Sequence, residues 1–149
     1  MTPILTYTLV AHVMTGILAI GLVHLVFMHF LKKTPSWKYL QALSGWAVIL
    51  FFVSWATSAF YYVTYYGKAV KPKIMAGAYP WAHQVFMESK EHVFVLLPFL
   101  AIALWLMIRL LAKEQDEKLK KAAMFVAFIT LSLGVFIALS GILISGAVR

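Results

Sequence analysis

The residues of this chain that can do chemistry are five histidines and two glutamates set among long apolar stretches. His12, His24 and His29 fall in the first stretch; His83 and His92 fall in the third, whose segment HQVFMESKEH also holds Glu88 and Glu91. Ionisable side chains are costly at membrane depth and usually face the interior of a helix bundle, where they bind ions or cofactors or pass protons. There is no cysteine, which excludes disulfides, thiolate metal sites, iron–sulfur clusters and thioether-attached haem. Imidazole, carboxylate and thioether remain as ligands, and the methionines are scattered as packing residues are.

The elements that must position these groups are apolar helices. Hydrophobic residues make up 63% of the 149 residues and charged residues 12%, a balance that needs lipid as solvent. Four stretches, about residues 4–31, 40–66, 81–111 and 122–148, are each near or above the roughly 20 residues that cross the hydrocarbon. The expected fold is therefore all-α: a single transmembrane domain over 1–149, an antiparallel up-down-up-down four-helix bundle. The first stretch lacks a basic leader and a small-residue cleavage site, so it reads as a retained helix.

The formal net charge of +8 comes from lysines in the short connections, where anionic lipid headgroups and not nucleic acid are the expected partners. The connections are read as 32–39, 67–80 and 112–121, with Pro80 opening the third helix. Lys32, Lys33, Lys38, Arg109, Lys113, Lys118, Lys120 and Lys121 flank the first and third connections, against Lys68, Lys71, Lys73, Lys90 and Arg149 elsewhere. The positive-inside rule then places both termini outside, in a bacterial-type cytoplasmic membrane. Aromatic residues from Phe60 to Tyr66 crowd the outer end of the second helix as an interfacial belt.

Depth follows from counting at about 1.5 Å per residue. His12 lies 20 residues above Lys32, and His92 lies 21 above Lys113, so the two imidazoles are expected at one height on helices of opposite direction. Such a pair can grip a haem iron from both sides. Gly16, one turn below His12, and Gly141 at a similar height would leave room for the macrocycle, and Lys68, Lys71, Lys73 and Lys90 could meet its propionates. His24 and His29, turned from His12 by about 120° and about −100°, cannot join it.

In its helix count and its His12 and His92 pair, the chain resembles the small four-helix membrane cytochromes b. The resemblance implies one haem b per chain, held by His12 and His92, with electrons exchanged between a quinone pool and a redox partner protein on the outer side. It departs from the di-haem members, because no second histidine pair is found at the level of His24.

Two other readings stand beside it. His12, Glu88, Glu91 and His92, with His83 added, could bind a zinc, copper or iron ion. A standard di-iron carboxylate site is excluded, because the other three helices carry no acidic residue in their spans. Gly134, Ala138, Gly141 and Ser145 form a small-residue stripe that could pack against a second copy or a larger membrane complex, making the chain an accessory subunit.

Overall fold

The computed structural model describes residues 2–32, 34–114 and 116–148. Among these the regular structure is entirely helical. α1 covers Pro3–Phe30 and α2 covers Trp37–Tyr61; α2 runs on through a π-helical stretch, Tyr62–Val70, into the short α3, Lys71–Ala76. A π-helical segment, Ala82–Met87, leads into α4, Glu88–Glu114, and α5 covers Glu117–Gly146. The four continuous spans have 28, 40, 33 and 30 residues and are long and apolar enough to cross a membrane, which makes this a multi-pass membrane protein.

The buried positions show how the spans pack. They step by alternating fours and threes: Ala19, Val23, Val26 and Phe30 on α1; Leu40, Ser44, Ala47, Phe51 and Ser54 on α2; Leu97, Ala101, Leu104, Ile108 and Leu111 on α4. On α5 the same step joins Ala123, Ala127, Thr130, Gly134 and Ile137. An average step of 3.5 residues keeps one narrow seam on each helix facing its neighbours, as in coiled-coil bundles. α1 packs on α2, α2 on α4, α4 on α5, and α5 returns to α1, so the four seams close around one core. The other faces stay apolar and outward, as Trp46, Phe99, Phe125 and Ile142 do.

Three hydroxyls on the seam are satisfied locally. Ser44, Thr130 and Ser140 each donate to the carbonyl four residues back, at 2.7, 2.7 and 2.8 Å. Gly134 permits the closest approach, since a carbon placed there would lie 2.8 Å from Ile20 Cγ1 on α1. Pro98 is buried inside α4, which continues through it although the residue has no N–H to donate.

Two connections are shorter than the sequence suggests. Helix continues through 67–76, where a loop is expected, because Pro72 falls in the first turn of α3 and needs no N–H partner there. α4 extends to Glu114 and α5 begins at Glu117, capped by Asp116, whose carboxylate accepts from Lys118 N at 2.8 Å. Gln115 in that connection, and Lys33 and Arg149 among the basic residues, lie outside the described residues.

Candidate functional site

Followed upward from the aliphatic core, the seams turn polar. One step beyond Ala19 is Gly16, and one beyond that is His12; α2 reaches Ser54, α4 reaches Lys90 one turn before Phe94, and α5 reaches Gly141. These residues line a cavity of about 520 Å³ whose remaining walls are apolar apart from Ser145, and include Phe51, Phe94, Leu97 and Ile137. That size is within the range of small-molecule and cofactor sites.

Ser54, fully buried, fixes the His12 ring. His12 Nδ1 lies 3.0 Å from the Ser54 carbonyl and 2.9 Å from its Oγ, and the Ser54 hydroxyl donates to the His12 carbonyl at 3.1 Å. A carbonyl only accepts, and the hydroxyl hydrogen is already committed, so Nδ1 must carry the hydrogen. Neutral His12 therefore keeps its lone pair on Nε2, which has no protein partner among the described residues. Histidines that bind metal are held in this way, with Nδ1–H on a backbone carbonyl and Nε2 free. The ring also meets Phe94 edge to face, with centroids 5.6 Å apart.

Lys90 is the second polar feature. Its ammonium fills the space left by Gly141, where an added carbon would lie 3.3 Å from Nζ, and it forms no ion pair among the described residues. Gly16 gives way in the same manner to the Ser54 hydroxyl, 3.1 Å from where a side chain would begin. Both glycines thus make room for polar groups of the site, and Ala138, Gly141 and Ser145 of the small-residue stripe form a wall of the cavity.

His92 stands apart. It is exposed, does not line the cavity, and donates from Nδ1 to the Glu88 carbonyl at 2.7 Å. Glu88 is exposed as well, and no three of the histidine and acidic side chains gather as a metal-binding group among the described residues. Of the lysines expected near propionates, Lys90 alone lines the cavity. His24 is exposed, and His29 meets Tyr39 at 4.7 Å between centroids and Lys32 Nζ at 3.2 Å.

A second polar group escapes the sequence reading. The two π-helical segments place Tyr66 beside His83, with the Tyr66 hydroxyl 3.0 Å from His83 Nδ1, and Tyr62 stacked on Tyr66 at 5.3 Å. The i, i+4 spacing of Tyr62 and Tyr66 is visible in the sequence, but the widened turns that aim them at His83 are not. Comparisons with models of known families, with characterised proteins and with solved structures find no match to this chain, so its function has to be read from these side chains.

Proposed function

We propose that this chain is a haem b protein of the membrane, in which His12 would hold the iron and Lys90 would meet a propionate. The observation that supports it is the joint presence, in one apolar cavity, of an imidazole whose Nε2 lone pair is free and an ammonium without a counter-ion. A ligand that suits both must be large, mostly apolar, able to take a nitrogen donor, and anionic at one edge. Haem has all four properties, and a single histidine is a sufficient axial anchor in several haem proteins.

When bound, the haem would supply one-electron chemistry. The chain's own residues hold and tune it: Ser54 orients His12, Lys90 neutralises a carboxylate, and Phe51, Phe94 and Leu97 exclude water. The role is electron transfer between quinone and a partner protein on the outer side. The proposed topology is antiparallel with both termini outside, in a bacterial-type cytoplasmic membrane, supported by the basic residues around the first and third connections.

The outward position of His92 favours a second reading, in which no iron is present and the cavity holds a quinol. One quinol hydroxyl would donate to His12 Nε2, and the second oxygen would accept from Lys90. The two readings separate in one experiment. Protein purified from membranes is titrated with haem and its reduced spectrum recorded; a b-type spectrum at one haem per chain is the expected result. A protein that stays colourless in excess haem while retaining quinone through extraction would replace the first reading by the second.

A further inference from the structure

A groove of about 320 Å³ lies between α2 and α4, with Gln41, Ala42, Gly45 and Ile49 on one wall and Trp105 on the other. It shares no lining residue with the His12 cavity, and the exposure of Ala42, Trp46 and Ile49 shows that it opens on the outward surface of the bundle. Gly45 gives it depth. A carbon placed there would lie 3.3 Å from Trp105 Nε1, so the indole edge reaches the α2 backbone only because a side chain is missing. The indole N–H can only donate, and it has no acceptor among the described residues. Over the same ring stands the Arg109 guanidinium, with Cζ 4.9 Å from the centroid. Arg109 is exposed and forms no ion pair among the described residues.

These features are ordered along the groove. Gly45 lies at Trp105, and Ser54 shares the His12 cavity with Phe94, so residues before Gly45 and after Trp105 lie toward one end. Arg109 and Gln41 therefore mark a polar end, and Lys38, seven residues before Gly45, stands on the same face of α2. Ile49 marks the apolar end, about 12 Å from Gln41 at roughly 1.5 Å per residue. An occupant that matches is anionic at one end, accepts a hydrogen bond next to it, and is apolar over the rest. Free phosphate lacks the apolar part, and a helix of a second copy would bury the Arg109 charge without a counter-ion.

We propose that the groove is a binding site for one anionic phospholipid. Its phosphate meets Arg109 and Lys38, an ester carbonyl accepts from the Trp105 indole, and an acyl chain lies over Ala42, Gly45 and Ile49. Arginine suits this place, because its planar fork matches phosphate while its face stacks on the indole. Basic pockets between membrane helices take acidic headgroups for the same electrostatic reason. The site does not depend on what the His12 cavity holds.

The test uses the full-length protein, delipidated in detergent and titrated with phosphatidylglycerol or with phosphatidylcholine of the same acyl chains. Native mass spectrometry counts the bound lipid. One phosphatidylglycerol is expected to bind about fivefold or more tightly than phosphatidylcholine. Arg109→Gln should remove that preference, whereas Lys121→Gln, at an exposed position on α5, should leave it intact. Ala42→Phe fills the groove from its exposed wall and should weaken both lipids by about fivefold while keeping their ratio. Inorganic phosphate at the lipid's concentration should not compete.

An unchanged preference in Arg109→Gln, or an equal loss in Lys121→Gln, would overturn the proposal. So would displacement of the lipid by inorganic phosphate, or a dimer that Ala42→Phe dissolves, which would put a second copy in the groove. If Ala42→Phe does not fold, the two charge variants and the phosphate competition still decide.

Discussion

Toward Leu40, Leu104, Leu111 and Ala123 the bundle is regular α-helix around an aliphatic core; toward His12, Ser54, Lys90 and His83 it holds a cavity, two π-helical segments and polar side chains. The alternation of fours and threes continues into the polar half on α1, α2 and α4, while α5 takes two steps of three there, from Gly134 to Ile137 to Ser140. Side-chain choice along the seam therefore decides whether a layer closes or opens. Aliphatic residues fill the seam and leave no room for a ligand, whereas glycine at 16 and 141 admits a hydroxyl and an ammonium that stop short of filling it. Among the described residues, the two buried polar atoms left unpartnered, His83 Nε2 and Glu91 Oε1, both lie in the polar half.

This contrast can be broken at either end. The largest effect is expected in the closed half: Leu104→Ala removes a fully buried side chain between packed helices and should cost about 2–5 kcal/mol in unfolding from detergent, with ligand binding in the folded fraction unchanged. In the open half, Lys90→Met keeps the bulk and removes the charge. It should weaken binding of an anionic ligand by about 1.5–3 kcal/mol, measured by equilibrium titration, with little loss of fold stability.

Ser54→Ala should lower affinity for the ligand of His12 by roughly tenfold, because the ring loses the Oγ contact that orients it while the backbone carbonyl still holds Nδ1–H. A calorimetric titration would show this as a shift in affinity at constant stoichiometry. The smallest effect is expected away from both halves, where Asp116→Ala removes the cap of α5 and should cost about 1 kcal/mol, seen as a modest drop in thermal midpoint. If Leu104→Ala and Ser54→Ala changed stability and binding together, the two halves would be one cooperative unit and the contrast would fail.

The spans were legible because length and apolar content suffice to mark them, and His12 and Gly16 were legible because both stand on the seam of α1. His92 lies off the cavity for a physical reason. Counting residues gives height but not direction, and on α4 the seam runs through Phe94, Leu97 and Ala101, two positions off His92 and about 200° around the helix. Lys90, one turn before Phe94, continues that seam, so the four-three step from Ala101 backward already pointed to it. The spans are apolar on every side, and no polar face reveals which positions look inward. The widened turns that join Tyr66 to His83 have no propensity signal, and the helix through 67–76 was hidden by the usual reading of Gly67 and Pro72 as breakers.

Ligand binding is assigned to His12, which lines the cavity and whose Nε2 has no partner among the described residues. Haem titration of wild-type protein beside His12→Ala and His92→Ala tests it most directly. The expected result is one haem per chain in the wild type and in His92→Ala, and none in His12→Ala. Equal haem binding by His12→Ala, or its loss in His92→Ala alone, would contradict it.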